Sequence, residues 1–419
     1  MLTLLISVLL IGCSASKQRK LTKGIVNSIT IGDFENQFTG FLVFDPTTKD
    51  TIISYNSDKY FLPASNVKIF TLYTALQLLP NSIPSLKYIE QGDTLYIEGT
   101  GDPTPLHPYY KDSTLLHFLA KSKAIALHPN NFKEDRLGPG WSWEDYDQYY
   151  APERGALPLY GNVVRVIQTD RIGIVPDLFR DSVLVSAGNR NRQLHQNLFY
   201  LDRGRKDTVE VPFITDSQLT KKLLEKALNK EIGLIEAMPK GTKKVLYGLP
   251  SDSLYRRMMH HSDNFIAEQL LILSSSVLKD TLNSKIPRDH ILKNQLSSLR
   301  QAPRWVDGSG LSRYNLFTPE SMVVVLEKLY EDLPKERLLD LFPAGGMDGT
   351  IQDWFRGNPK PYLFAKSGSM GNTYCLSGYL RTGSGKILIF SFMNNHYRQS
   401  TNNLKKEMTA IFESIRDAY

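Results

Sequence analysis

The chain has 419 residues, of which 41% are hydrophobic and 22% are charged, a composition that supplies enough apolar material for a globular core. Its formal net charge is +7 and its sequence pI is about 9.0. The basic residues form no long stripe and match no nucleic-acid-binding motif, so we expect no nucleic-acid partner. The length predicts two domains, or one domain with an insertion.

The chain begins with an apolar segment of signal-peptide length, MLTLLISVLLIGCSASKQ, which is short for a membrane-spanning helix. Its end, LLIGC, resembles a bacterial lipobox, whose cysteine, here Cys13, becomes the lipidated first residue of the mature protein. Only Met1, Leu2 and Thr3 precede the apolar run, so a wrongly assigned start or a simple membrane anchor are alternatives. All three interpretations predict export. If Cys13 is lipidated, Cys375 has no partner and no intramolecular disulfide is expected.

The next segments predict strands and then a helix. TGFLVFDPTTKDTIISYN is typical of two strands joined by a turn. PASNVKIFTLYTALQLLP predicts a helix that Pro63 precedes and Pro80 ends. From Asn81 to Lys244, short strand-like pieces punctuated by proline, glycine and asparagine dominate, with one helix near DSTLLHFLAKSKA. We interpret this stretch as a separate, mainly β insertion.

Helical periodicity returns in SDSLYRRMMHHSDNFIAEQLLILSSSV and in TPESMVVVLEKLYEDL. A hairpin with Gly383 to Gly385 at its turn follows, and then a terminal helix, NNLKKEMTAIFESIRDAY. The outline predicts an α+β protein. We expect a signal and linker over 1–19, a domain of helices and antiparallel sheet formed by 20–80 and 245–419, and the insertion 81–244 between its two parts.

The stretch FLPASNVKIFTLYTAL contains a lysine three residues after a serine, which places both side chains on one face of a helix. A serine hydroxyl is a poor nucleophile at neutral pH and needs a base within hydrogen-bonding reach. Lys68 can be that base for Ser65 only if its pKa falls, which burial and nearby positive charge would both cause. Taken alone, this spacing more often belongs to a capping serine and a lysine that extends to solvent.

Two further motifs accompany this pair. HHSDNF contains Ser262 and Asn264, and FAKSGSMG contains Lys366 followed by Ser367 and Gly368. The order S-x-x-K, S-x-N, K-[ST]-G is the motif set of β-lactamases and penicillin-binding proteins. In each case the predicted context is also suitable, because the first two motifs begin helices and the third precedes a strand pair.

Other segments resemble one family more closely: MMHHSDNFIAEQLL, WVDGSGLSRYN, PAGGMDGT, GTGDPTP and GPGWSWEDYDQYYAP. They are similar to the D-alanyl-D-alanine carboxypeptidase/endopeptidase family, the class C low-molecular-mass penicillin-binding proteins of peptidase family S13. The resemblance covers nearly everything after the lipobox. It implies a β-lactamase/transpeptidase-like domain of antiparallel sheet and helices, split by a large insertion, which agrees with the long interval between Ser65 and Ser262.

The resemblance implies a role for each matched side chain. Ser65 is the acylated nucleophile, and Lys68 is its general base. Ser262 relays a proton between the lysines and the leaving amine, while Asn264 holds the substrate amide. Lys366 supplies positive charge near the substrate carboxylate and helps to lower the pKa of Lys68.

The third motif also supplies substrate-binding groups. Ser367 stands where threonine is common and keeps the hydroxyl that hydrogen-bonds the substrate carboxylate; Gly368 is a further substrate-binding position. The implied oxyanion hole consists of the backbone N–H groups of Ser65 and Ser369, and preorganised donors of this kind are worth roughly 3–4 kcal/mol each. Four other polar residues in matched segments are interpreted as turn-forming and not catalytic: Asp263, Asp307, Ser309 and Asp348.

The insertion departs from the family pattern at one point. Family members carry an aspartate there, in a strand followed by a short turn and a phenylalanine, that is tied to the side-chain amine of the stem peptide. The matching stretch is AIALHPNNF, with His128 in place of the acid. This substitution implies an altered diaminopimelate contact. An ordinary surface histidine is an equally good interpretation.

Three other functions have to be compared with this one. A serine β-lactamase of the SDN type adds a glutamate in an E-x-x-L-N box after SDN, whereas EKALN, Glu225 to Asn229, lies before Ser262 in an amphipathic helix. A non-catalytic wall-binding lipoprotein would tolerate loss of the nucleophile, yet every catalytic side chain is present. A metalloenzyme is disfavoured because the histidines are scattered and there is no H-E-x-x-H motif or cysteine cluster.

The resemblance therefore implies an exported, periplasmic and lipid-anchored serine D,D-peptidase. Its substrates would be the terminal D-Ala-D-Ala bond of peptidoglycan stem peptides, or the D-alanyl crosslink between stems, cleaved through an acyl-serine. No metal or organic cofactor is implied. β-Lactam antibiotics are expected to acylate Ser65, and the membrane is expected to be a partner through the lipid on Cys13.

Overall fold

The computed structural model describes residues 20–31, 34–168, 172–186, 190–202 and 207–419. The lipobox with Cys13 lies outside them. None of the helices in this described part of the chain combines the length and the apolar character that a membrane crossing requires.

The strands in chain order are β1 (Phe38–Asp45), β2 (Asp50–Tyr55), β3 (Ser82–Gln91), β4 (Thr94–Gly99), β5 (Ala124–His128), β6 (Val163–Gln168), β7 (Ile172–Val175), β8 (Val183–Val185), β9 (Phe199–Leu201), β10 (Val209–Pro212), β11 (Ile232–Leu234), β12 (Lys244–Pro250), β13 (Leu363–Met370), β14 (Thr373–Arg381) and β15 (Ile387–Asn395).

The α-helices are α1 (20–30), α2 (Val67–Leu78), α3 (Thr114–Ala120), α4 (Ser217–Leu228), α5 (Ser251–His260), α6 (Asn264–Leu278), α7 (Lys285–Asn294), α8 (Pro319–Asp332), α9 (Lys335–Asp340) and α10 (Thr401–Ala418). A short 3-10 turn, Ala64–Asn66, leads directly into α2.

A five-stranded antiparallel sheet of order β13-β14-β15-β1-β2 forms the centre of the larger half of the fold. Helices cover both faces of this sheet, which explains why β1 is a continuous apolar run, FLVF, with no polar alternation. One face shares a hydrophobic cluster with α2, α5, α6 and α8, and the other shares one with α1 and α10. The strand pair and the hairpin expected from the sequence are β1–β2 and β14–β15.

The chain between α2 and α5 forms separate sheets. The largest has five strands in the order β11-β5-β4-β3-β12, in which β5 pairs in parallel with both β4 and β11. It shares a hydrophobic cluster with α3, α4 and a three-stranded sheet, β10-β6-β7. This region is mainly β, as expected, but β12 runs on to Pro250, past the expected boundary at Lys244. The division into domains stays a prediction.

The second and third motifs lie in the expected contexts, with one addition each. Ser262 stands just before α6, as expected, and separates it from α5, because Ser262 adopts a left-handed φ of 54° and Asp263 caps α6 by accepting from the Ile266 N–H at 3.0 Å. Lys366 precedes the hairpin β14–β15, as expected, but itself lies in a further strand, β13, at the edge of the central sheet.

We expect Phe412→Ala to lower the free energy of unfolding by about 3–5 kcal/mol. Phe412 on α10 is fully buried and packs against Phe41, Phe390 and Phe392, so truncation leaves a cavity behind the central sheet. The measurement is urea denaturation followed by circular dichroism. The matched control is Phe38→Ala, because Phe38 is 67% exposed and its loss should change stability by about 0.5 kcal/mol or less. Equal losses for the two variants would contradict the assigned core.

Candidate active site

The 3-10 turn that carries Ser65 is held by two glycines from distant segments. A Cβ on Gly310 would lie 1.9 Å from the Ala64 carbonyl oxygen, and one on Gly368 would lie 2.5 Å from the Pro63 carbonyl oxygen. Only glycine allows these approaches, so both segments press directly on the turn. Ser65 therefore precedes α2 in a fixed backbone position instead of lying within the helix.

The side chain of Lys68 is fully buried and does not extend to solvent. Its Nζ lies 2.9 Å from Ser65 Oγ and donates to Asn264 Oδ1 at 2.6 Å and to the Ser309 carbonyl at 2.6 Å. A serine hydroxyl and a lysine amine at this distance can exchange a proton directly. The geometry thus favours a nucleophile–base pair over the capping serine and solvent-facing lysine that this spacing more often indicates.

Burial lowers the pKa of Lys68 to about 8, because an ammonium group loses its hydration in the interior. The nearby carboxylates of Asp307, Glu268 and Asp263 oppose this shift. Burial, and not the charge of Lys366, is the cause that lowers this pKa. About one tenth of the Lys68 amine is consequently neutral at pH 7, far more than for an exposed lysine, and this is the form that can accept a proton from Ser65.

A second lysine lies beside the first serine–lysine pair. Lys366 is fully buried in β13, and its Nζ donates to Ser262 Oγ at 2.9 Å and to the Ser367 carbonyl at 2.6 Å. Burial, and then the charge of Lys68, lowers the pKa of Lys366 well below its usual range. The site therefore disfavours two ammonium groups at once, which favours one neutral lysine.

The break between α5 and α6 places the second motif between the two lysines. Asn264 Nδ2 donates to the Tyr150 carbonyl at 3.0 Å while its Oδ1 accepts from Lys68, so the amide joins the base to the insertion. Asp263 instead accepts from Arg257 Nε at 2.9 Å. Its capping role agrees with the turn-forming interpretation from the sequence.

The third motif lies along the edge of the cleft. Ser367 Oγ donates to Thr350 Oγ1 at 2.6 Å. A Cβ on Gly368 would lie 2.9 Å from the backbone nitrogen of Ser65, so the strand passes directly beside the turn of Ser65. Ser65 and Ser369, the two residues expected to form the oxyanion hole, both line the cleft.

These groups line a cavity of ≈730 Å³. Its wall includes five of the residues predicted from the motifs: Ser65, Ser262, Asn264, Ser367 and Ser369. Lys68 and Lys366 are buried behind this wall and reach it through the serines. The predicted catalytic set is therefore assembled around one cleft from three segments of the chain.

The cleft also contains residues to which the sequence analysis gave no role. Asp145, Tyr149 and Tyr150 come from GPGWSWEDYDQYYAP, and Arg313 comes from WVDGSGLSRYN. Both segments resemble the family but had no side chain predicted to bind substrate, and this resemblance was the available signal. Lys405 reaches the cleft from α10, with its ammonium 5.1 Å from the centre of the Tyr374 ring. Nothing in the local sequence marks Lys405.

His128 does not line the catalytic cleft. It ends β5, its Nδ1 lies 3.2 Å from Glu98 Oε2, and it borders a separate cavity of ≈140 Å³. The acids that the insertion does contribute to the catalytic cleft are Asp145 and Glu210. The histidine that was expected to replace the family's acid therefore does not lie at the catalytic cleft.

The structure also shows the surroundings of two other residues discussed above, Glu225 and Asp307. Glu225 of the EKALN box lies on α4, accepts from the Ile232 N–H at 2.9 Å and borders a cavity away from Ser65. Asp307 accepts from the Gly310 N–H at 2.9 Å and from Trp141 Nε1 at 2.9 Å, which fits its turn-forming interpretation. Among the described residues, no group of three or more His, Cys, Asp or Glu side chains could hold a metal ion.

Comparison with known proteins places the chain in a family. A model of the D-Ala-D-Ala carboxypeptidase 3 (S13) family matches residues 21–177 and 207–415. The D-alanyl-D-alanine carboxypeptidase DacB of Haemophilus influenzae is 24% identical over 92% of this chain and 91% of its own length.

Solved structures agree in fold. Penicillin-binding protein 4 of H. influenzae matches with a TM-score of 0.70 and 22% identity, over 91% of this chain and 96% of its own. A penicillin G-acylated predatory endopeptidase of Bdellovibrio bacteriovorus matches with a TM-score of 0.51 and 16% identity, over 90% and 92% of the two chains. The predicted α+β class is confirmed. Because the family model spans most of its length, the chain belongs to the D-Ala-D-Ala carboxypeptidase 3 (S13) family and is a carboxypeptidase-type hydrolase.

Proposed function

We propose that this protein hydrolyses the D-alanyl bonds of peptidoglycan stem peptides through an acyl-enzyme on Ser65. The observation that carries the proposal is the buried amine of Lys68, with a pKa of about 8, 2.9 Å from Ser65 Oγ. A nucleophile within hydrogen-bonding reach of a base of suitable pKa is the minimum requirement for covalent catalysis by serine.

The first half-reaction follows from the contacts around these two side chains. Neutral Lys68 takes the proton of Ser65 as Oγ attacks the carbonyl carbon of the penultimate D-alanine. The negative charge that develops on the carbonyl oxygen is stabilised by the N–H groups of Ser65 and Ser369. When the carbon–nitrogen bond breaks, Ser262 gives its proton to the leaving amine and is reprotonated from the lysines, which hold the proton taken from Ser65. Lys68 is then neutral again, and the acyl group remains on Ser65.

The other groups of the cleft bind the substrate. The terminal carboxylate is drawn to Lys366 and Ser367, because a bound carboxylate favours the charged form of that buried lysine. Asn264 holds the substrate amide, and Gly368 lets β13 approach the turn of Ser65 closely. Water then hydrolyses the acyl group. A leaving group that is free D-alanine makes the reaction a carboxypeptidase reaction, and one that is part of a second stem makes it an endopeptidase reaction.

Benzylpenicillin should form a lasting one-to-one adduct with Ser65, because a β-lactam amide meets the same nucleophile. Among the residues that the structure describes, no glutamate box like that of the SDN β-lactamases lines the cleft. The measurement is the intact mass of the ectodomain from Ser14 over time, with Ser65→Ala and, as a matched control, Ser414→Ala, an exposed serine on α10. We expect the adduct in the wild type and in Ser414→Ala only. Rapid drug hydrolysis without an adduct would instead make the protein a β-lactamase, and neither event would favour a non-catalytic wall-binding protein.

The acylation rate should fall as the pH decreases through about 8, the pKa of Lys68. Below this pH the amine is protonated and cannot accept the proton of Ser65, so the rate should decrease about tenfold per pH unit. Stopped-flow acylation by a chromogenic β-lactam at pH 6 to 9 measures the profile. Lys68→Ala should lose at least about 10²-fold in rate and the acidic limb with it. A fully active Lys68→Ala enzyme would exclude the assigned base.

We also propose that the protein is exported to the periplasm and anchored in a membrane by a lipid on Cys13. The LLIGC segment at the end of an apolar run supports this location, as does the substrate class, which lies outside the cytoplasmic membrane. Mass spectrometry of the mature N-terminus after expression of the full chain in bacteria should find an acylated Cys13. A Cys13→Ser chain should lack the lipid. A mature protein that still begins at Met1 would favour the simple anchor.

A further inference from the structure

A buried glutamate on α6 holds the loop that faces the base. Glu268 is 1% exposed, and its Oε1 accepts from the backbone N–H groups of Gly308 at 2.9 Å and of Ser309 at 2.7 Å. One carboxylate oxygen thus fixes two successive peptide groups. The carbonyl of Ser309 belongs to the same loop and accepts from Lys68 Nζ at 2.6 Å. That carbonyl lies in the next peptide, whose Gly310 N–H is held by Asp307, so Glu268 constrains it through the adjoining peptide of the same loop.

The other oxygen of this carboxylate faces the insertion. Arg154 is 1% exposed, and its Nη1 lies 3.3 Å from Glu268 Oε2. Its Nη2 donates to the Asp135 carbonyl at 2.8 Å, so the guanidinium is anchored in the insertion itself. A fully buried ion pair is retained only where both charges have further partners, because desolvation alone would oppose it. For Glu268 these further partners are the Gly308 and Ser309 N–H groups, in the loop whose Ser309 carbonyl contacts Lys68.

We propose that Glu268 is a positioning residue for the base, Lys68. We also propose that Arg154, which belongs to the insertion, holds the Glu268 carboxylate in place. The chain of contacts runs from Arg154 to Glu268, then through the Gly308 and Ser309 peptides to Lys68. The insertion then has a part in acylation itself, in addition to any contact with substrate. This inference rests on the proposed role of Lys68 as base.

The electrostatic effect has a definite sign. Glu268 raises the pKa of Lys68, so loss of its charge lowers that pKa. Burial and then Asp307 raise the pKa of Glu268 itself to about 7, whereas Arg154 lowers it. Loss of Arg154 therefore promotes protonation of Glu268 and acts on Lys68 in the same direction. The charged groups that face the two residues from the surrounding elements are Arg154, Glu134, Asp263, Arg288, Asp307 and Lys366.

The test compares Glu268→Gln, Glu268→Ala and Arg154→Ala in the ectodomain. Glu268→Gln keeps an acceptor for the Gly308 and Ser309 N–H groups but removes the charge, so the acidic limb of the acylation profile should move to lower pH with a modest loss of rate. Glu268→Ala also frees the loop, so its rate at high pH should fall about tenfold or more, as expected when a catalytic group is misplaced. The pH shifts of Glu268→Gln and Arg154→Ala should be non-additive in the double variant, because they act through one charge.

The matched control is Gln269→Ala. Gln269 is the next residue on α6, is equally buried, and donates to the Gly101 and Gly155 carbonyls at 2.8 and 2.9 Å, but has no hydrogen bond to the 308–309 peptides. Its loss should lower the melting temperature and leave the pH profile in place. A profile that moves equally in Gln269→Ala and Glu268→Gln would overturn the proposal, as would an unchanged limb in Glu268→Gln with an unchanged rate in Glu268→Ala.

A second readout separates this inference from the proposed function. ¹³C NMR titration of the lysine Cε signals, assigned with Lys68→Ala, measures the pKa of Lys68 without any reaction. A lower pKa in Glu268→Gln than in the wild type supports the positioning role even if penicillin forms no adduct, an outcome that would count against the proposed function alone. An unchanged pKa overturns the role of Glu268, whatever the acylation result.

Discussion

The burial of the Lys68 amine, away from water, is the constraint on which the site depends. An ammonium group in the interior loses its hydration and remains only where acceptors replace it. For Lys68 these acceptors are the Asn264 amide oxygen, the Ser309 carbonyl and Ser65 Oγ, contributed by three separate segments. The same burial brings the pKa close to neutrality. Structure and reactivity at this site therefore have one physical cause.

Close backbone packing keeps these segments in register. Gly310 and Gly368 lie against the turn of Ser65 at distances that no side chain would allow. Both belong to elements fixed by the core, since β13 pairs with β14 in the central sheet and the 307–310 loop is held by Asp307 and Glu268. The nucleophile is consequently positioned by the sheet and by α6 together, and the insertion contributes to that frame through Arg154.

Elements with a strong local pattern could be predicted, and those shaped by their neighbours could not. The apolar run of β1 and the glycine turn between β14 and β15 carry their own signals, and both strand pairs are present. The start of α6 at the second motif was predicted, but the left-handed backbone of Ser262 that separates it from α5 has no local signal. The stretch FAKSGSMG has no alternation typical of a strand, yet all of it except the last glycine lies in the edge strand β13. Hydrogen bonds to β14 hold it in this conformation.

The sequence by itself determined which reactive groups the protein possesses, because three short motifs, each local in the chain, name the serines, the lysines and the asparagine of one chemistry. Only the tertiary structure decided how those groups act. The contact between Lys68 and Asn264 spans 196 positions of the chain, and desolvation depends on everything packed around an atom. The lowered pKa of Lys68, the presence of Asp145 in the cleft where His128 is absent, and the coupling of the insertion to the base all result from such long-range packing.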